Sequence, residues 1–156
     1  MPFFLSKLAE EKVRHHAAEG RQANCEVMGL LLGELLNWKG EGYAMARDVA
    51  TAPLEATAVH VRFDAERIEE LCESLDQCHF RYVLVGWYHS HPGYGCFLSD
   101  TDLNTQERMF SEPEHTALVV DPVHQEMSAF RLRSGNVIEV PLAVYWERYQ
   151  SPYRPR

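Results

Sequence analysis

The chain has no apolar run long enough to cross a bilayer and no excess of basic charge; its four cysteines form no CxxC pair. Each absence removes a class of function. A bilayer span needs about 20 consecutive apolar residues, so no membrane role is expected. Lys and Arg number 15 against 23 Asp and Glu, a formal net charge of -8. A nucleic-acid binder needs a basic face for phosphates, so no nucleic-acid partner is expected. Cys25, Cys72, Cys78 and Cys96 are spaced unlike a structural zinc knuckle. Reduced thiols in a cytoplasmic protein are the simplest reading. The opening MPFFLSKLAEEKVRHH lacks a basic segment followed by an apolar one, so no secretory signal is expected. HExxH, G-x-S-x-G and P-loop patterns are missing as well.

What is present suits one globular domain. A chain of 156 residues, 46% apolar, can bury a substantial core. No repeat or low-complexity linker divides it, and residues 1–150 read as one domain with a tail over 151–156. Leu5, Leu8, Ala9, Val13 and Ala17 recur at helical spacing, and Gly20 offers a stop. VMGLLLGELL, Val27 to Leu36, reads as a strand buried on both faces, with Gly29 and Gly33 arguing against a helix. A second strand is expected over Tyr43 to Val49. Thr51 to Phe63 reads as loop or exposed strand, and Asp64 as the cap of a second helix. RYVLVGWYHSH reads as a central strand ended by Pro92, followed by a third helix capped at Ser99 or Asp100 and running to about Phe110. TALVVD, EMSAFRLR and VIEVPL read as three further strands, the last two joined across Ser134-Gly135-Asn136. The pattern predicts an α/β sandwich, a mixed sheet with helices against it.

The chemistry concentrates in GWYHSHPGYGCFLSDTD, Gly86 to Asp102. Residues i and i+2 of a strand share a face, so His89 and His91 project together and Ser90 points away. Pro92 and the glycines that follow permit a sharp turn. Ten residues separate His91 from Asp102, enough to return a carboxylate from the start of the next helix. Two imidazoles and one carboxylate make a three-ligand zinc set with a fourth position open. Taken alone, a His-x-His pair is more often a surface or core feature. Ser99 and Asp102 also have the spacing of a capping box. The two roles are compatible if one carboxylate oxygen binds metal while the other accepts an N–H. Glu26, at the mouth of the Val27–Leu36 strand, is the candidate proton shuttle, since a carboxylate there must find water, a cation or a function. An exposed strand-end Glu is its plainer reading. Ser99 could donate to an oxyanion or simply cap the helix.

Together these residues resemble the JAMM (MPN-plus) metalloprotease family. Its pattern is a distant Glu, then His-Ser/Thr-His-Pro, six residues, Ser, two residues, Asp. Here that is Glu26, His89-Ser90-His91-Pro92, Gly93 to Leu98, Ser99 and Asp102. CEVMGLLLGE, VLVGWYHSHPGYGCFLSDTDLNTQ and LVVDP are similar to the proteasome-lid deubiquitinase and signalosome isopeptidase branch, and the resemblance runs from about Glu26 to Leu132. Phe97 stands where that branch usually has Trp. The short C-terminal side resembles a compact, archaeal-type relative.

The resemblance implies an MPN fold like that of cytidine deaminases, a curved mixed β-sheet flanked by helices. The deaminases' own H-x-E and P-C-x-x-C ligand sets are absent. It implies one zinc per chain on His89, His91 and Asp102, with Glu26 and Ser99 as catalytic residues. The implied reaction is hydrolysis of the bond between the C-terminal Gly-Gly of ubiquitin, or a ubiquitin-like modifier, and a lysine amine. Glu26 would relay the proton and Ser99 would assist the oxyanion. The modifier's tail would lie in a groove shaped by Thr51 to Arg62, with Gly93 and Gly95 permitting its close approach. Association with the proteasome follows from the same branch. The alternatives are a non-catalytic MPN scaffold subunit, or a metalloprotease acting on a sulfur-carrier or small peptide conjugate.

Overall fold

The computed structural model describes residues 1–51 and 82–147. The expected second helix from Asp64, the Thr51–Arg62 groove segment beyond Thr51 itself, Cys72, Cys78 and the 151–156 tail lie outside the described residues.

The described elements are β1 (Phe3–Ser6), α1 (Lys7–Gln22), β2 (Met28–Trp38), β3 (Glu41–Thr51), β4 (Val83–Ser90), α2 (Asp100–Met109), β5 (Thr116–Asp121), β6 (Glu126–Arg133), β7 (Asn136–Val140) and β8 (Leu142–Tyr145). They form one curved mixed sheet in the order β7-β6-β5-β4-β2-β3-β1-β8. β4 runs antiparallel to β2 and parallel to β5. That places the end of β4 between two covered strands rather than at an edge.

The two faces of the sheet are buried differently. Val27, Leu31, Tyr88, Leu118 and Val120 pack with Ala9, Val13 and Ala17 of α1. Met28, Leu30, Leu32 and Trp87 pack on the opposite face with Phe110, at the end of α2. β2 is thus buried on both sides over its first half, as its unbroken apolar run implies. The β2–β3 hairpin turns through Lys39 and Gly40, both at positive φ, the two-residue geometry whose twist matches antiparallel strands.

Three expectations need correction. The first helix begins later than its apolar pattern suggests. Leu5 belongs to β1, and Leu8 is exposed. The helix starts at Lys7 because Ser6 caps it, its side chain accepting the Ala9 amide at 3.1 Å. Gly20 is not the stop, since the helix continues to Gln22. Gly20 is required by packing: a Cβ there would sit 2.3 Å from Val27 Cγ1. Finally, VIEVPL is not one strand. Pro141 has no N–H to give a ladder; its carbonyl instead accepts the Phe3 amide at 2.8 Å. The chain then continues as β8, parallel to β1.

Candidate metal centre

The site begins where β4 ends. Met28 of β2 lies opposite His89, and Ser90 is bound on its far side to Val27. The Val27 amide donates to Ser90 Oγ at 2.9 Å, and the Ser90 amide donates to the Val27 carbonyl at 3.0 Å. With Ser90 held on the α1 face, His89 and His91 must emerge together on the other. The His91 amide donates to the Val120 carbonyl at 2.8 Å, extending the β4–β5 ladder one residue past the strand.

After Pro92 the chain folds tightly and returns as α2. Ser99 caps this helix with a reciprocal box: its Oγ accepts the Asp102 amide at 3.2 Å, and Asp102 Oδ2 accepts the Ser99 amide at 2.9 Å. The box turns the Asp102 carboxylate toward the start of the helix, where the histidines are. His89 Nε2 and His91 Nε2 are 3.0 Å apart, and Asp102 Oδ2 lies 3.0 Å and 3.1 Å from them. All three side chains are buried. One carboxylate oxygen therefore faces both imidazoles and takes the helix-capping N–H as well, where the sequence suggested a division between the two oxygens.

This triangle fits a divalent zinc. The His91 Nδ1–H donates to the Gly95 carbonyl at 3.1 Å, which leaves the Nε2 lone pair aimed inward. Acceptor atoms held so close repel one another unless a proton or cation lies among them. Tetrahedral zinc with ligands at about 2.0–2.1 Å sets its donor atoms roughly 3.3 Å apart, within a few tenths of the separations seen. The ionisation states also suit a metal. Burial pushes the His89 imidazole down, against the pull of Asp102, so it is neutral. Burial alone would raise the Asp102 carboxyl, but its close contacts with the His89 and His91 imidazoles hold it well below the usual carboxylate range, so it is the anionic donor of the three. Among the described residues these three form the only group of His, Cys, Asp or Glu side chains close enough to share an ion.

Tyr94 and Phe97 roof the centre, their rings 4.7 Å and 4.8 Å from that of His91. Glu26 is half-buried, directly before Val27 and two residues before Met28, which lies opposite His89; it is not part of the compact ligand group. Ser99 uses Oγ as an acceptor in the cap, so its O–H proton is still available. Cys96 is half-buried, and its thiol donates to the Val119 carbonyl at 3.4 Å. Burial pushes that thiol up, away from the thiolate a metal would bind.

The sequence reading overlooked how the loop after His91 is anchored. Asp121, fully buried at the end of β5, accepts the Gly93 amide at 2.9 Å and the Gly95 amide at 3.0 Å. It also accepts the Val123 and His124 amides and His124 Nδ1. Gly93 and Gly95 adopt φ of +86° and +85°, which residues with a Cβ rarely hold. Their glycine is required by this turn. The available signal was an Asp closing an apolar strand ahead of a Pro, the signature of a side chain that caps its own turn.

Comparison with known proteins adds kinship to this geometry. Residues 3–115 match the family described as JAB1/Mov34/MPN/PAD-1 ubiquitin protease. The chain is 35% identical over 153 residues to COP9 signalosome complex subunit 5 of Caenorhabditis elegans, covering 95% of this chain and 38% of that protein. It is 36% identical over 142 residues to 26S proteasome non-ATPase regulatory subunit 14 of Drosophila melanogaster, covering 86% of this chain and 44% of that protein. The chain thus spans less than half the length of either relative. The solution structure of protein DSY2949 from Desulfitobacterium hafniense superposes with a TM-score of 0.66 at 23% identity, over 93% of this chain and 94% of that one, a likeness of fold.

Proposed function

Because the chain belongs to the JAB1/Mov34/MPN/PAD-1 family, we propose that it is a zinc-dependent isopeptidase. Its substrate is the bond between the C-terminal Gly-Gly of ubiquitin, or a ubiquitin-like modifier, and a lysine amine. The observation that carries this reading is the convergence of His89 Nε2, His91 Nε2 and Asp102 Oδ2 to within 3.0–3.1 Å of one another in a buried setting.

His89, His91 and Asp102 would hold the ion, which would supply a Lewis acid able to bring the pKa of a water to roughly 7. The chain's own groups do the rest. Glu26 takes the proton from the attacking water and passes it to the departing lysine nitrogen, which would otherwise leave as a poor amide anion. The Ser99 O–H, whose oxygen is already fixed by the helix cap, donates to the oxygen on which negative charge develops. Tyr94 and Phe97 pack their rings against the His91 imidazole and help to hold its orientation.

The same reading takes residues 1–150 as a single catalytic domain working in the cytoplasm, with residues 151–156 as its tail. Relatives named as subunits of the signalosome and the 26S proteasome support association with a proteasome-like assembly. The test is cleavage of a ubiquitin-like protein linked through its C-terminus to lysine, with and without a strong chelator. Chelator-sensitive release of the modifier is the expected result. Cleavage indifferent to the chelator, or no cleavage by the zinc-loaded protein, contradicts the proposal.

A further inference from the structure

The two imidazoles of the centre are held by different means. His91 donates its Nδ1–H to the Gly95 carbonyl. His89 Nδ1 is buried and meets no hydrogen-bond partner among the described residues. A histidine that binds metal ordinarily gives its second N–H to a carboxylate, a carbonyl or water, and that bond sets the angle of the ring. His89 is set by a stack instead.

Trp87 stands two residues before His89 on the same face of β4. Its ring lies 4.5 Å from the imidazole, with the planes 14° apart. Phe110 lies nearly parallel to the same indole, at 5.6 Å and 11°. The indole is kept from rotating by Gln106, whose Oε1 accepts the Trp87 Nε1–H at 2.6 Å. Gln106 is itself fully determined. It is 1% exposed, and its amide nitrogen donates to the carbonyls of Phe110 at 3.3 Å and His115 at 3.1 Å. With both N–H groups committed, the amide oxygen must face Trp87.

Gln106 is one helical turn beyond Asp102 on α2. The helix that supplies the carboxylate therefore also reaches, through Gln106 and the indole, the back of an imidazole on a different element. Resting on the reading of His89, His91 and Asp102 as zinc ligands, we infer that Gln106 and Trp87 are positioning residues for the metal centre: they fix the plane of the His89 ring and keep α2 in register with β4. A hydrophobic side chain at 106 fills the same space but lets the indole turn, and the imidazole with it.

The test uses the full chain with Gln106→Met, Trp87→Phe and the double variant. Zinc affinity is measured by competition with a chromogenic chelator, beside the urea midpoint of the metal-free proteins. Cobalt spectra report the coordination geometry independently. Gln106→Met should weaken zinc binding by about 10–100-fold and shift the cobalt spectrum. Trp87→Phe should weaken it as well. Adding Gln106→Met to Trp87→Phe should change affinity less than twofold further, because the glutamine acts through the indole N–H. Variants that lose stability but bind zinc and cobalt like the wild type would overturn the inference and leave these residues as core packing only. If Gln106→Met does not fold, Trp87→Phe decides alone: unchanged affinity overturns the inference. A wild-type chain that takes up no zinc would overturn both this inference and the reading beneath it.

Discussion

The Ser99 amide donates to Asp102 Oδ2 at 2.9 Å, and the Asp102 amide donates back to Ser99 Oγ at 3.2 Å. This exchange starts α2 and aims the acid that meets His89 and His91. The same pair of hydrogen bonds thus serves both the helix start and the metal centre. A substitution that spares the backbone half of the exchange should spare the carboxylate's direction.

Ser99→Ala is that substitution. The Ser99 amide still reaches Asp102, so zinc content should be unchanged. Loss of the cap should cost about 1 kcal/mol of stability. Loss of the hydroxyl should slow cleavage roughly 10²–10³-fold. Ser99→Thr should restore most of both, since it keeps the hydroxyl. Urea melts and turnover on the same preparations separate the two effects. An alanine variant with full turnover would remove Ser99 from the chemistry.

Glu26→Gln tests the proton relay. It keeps the size and half-buried position of the side chain while removing its basicity. Zinc stoichiometry should hold and turnover should fall at least about 10²-fold, with little change in substrate binding. Full turnover in this variant would show that another group moves the proton.

Asp121→Asn tests the loop anchor. An amide offers one acceptor oxygen where the carboxylate offers two, and it brings an NH₂ either against the Gly93, Val123 and His124 amides or against the Gly95 amide and His124 Nδ1. Since hydrogen bonds to charged groups are each worth about 1.5–3 kcal/mol, a loss of about 3 kcal/mol is expected. Zinc affinity should fall too, because the loop that carries the Gly95 carbonyl behind His91 loosens. Thermal melts with and without zinc would read both. Unchanged affinity would mean that the loop is held by other contacts.

The Asp121–His124 pair also makes a pH prediction. Burial would raise the Asp121 carboxyl, but hydrogen bonds from His124, Gly93 and Gly95 hold it well below its usual range. Its contribution is therefore present at neutral pH and is lost only in strong acid. Hydrogen bonding to Asp121 raises the His124 imidazole above its usual value near 6.5. That contribution is complete below about pH 6.5 and fades as pH rises through the raised value. Wild-type stability should therefore decline as pH rises above about 6.5. His124→Gln should flatten that decline, as read by urea midpoints between pH 6 and 9. Parallel profiles for the two proteins would contradict it.

Much of the site could be read from the chain because its signals are local. Strand alternation puts His89 and His91 on one face, and the Ser99–Asp102 spacing puts a carboxylate at a helix start. The parts that were not legible depend on distant partners. Four residues, Phe3 to Ser6, carry no strand signature of their own; they pair with β3 about Met45 and with Leu142 to Tyr145. Gly20 looked like a terminator because nothing nearby shows that Val27 packs against it. Trp87 and Gln106 look like ordinary core residues until the sheet and α2 bring them together. The Asp102 oxygen that serves helix and histidines alike could be assigned only from the folded geometry.

The most direct measurement is the zinc content of the purified chain by elemental analysis, with His91→Ala and Asp102→Ala prepared alongside and checked for folding. The account predicts about one zinc per wild-type chain and little or none in either folded variant. A folded wild-type chain that takes up no zinc, or folded variants that retain it in full, would contradict it.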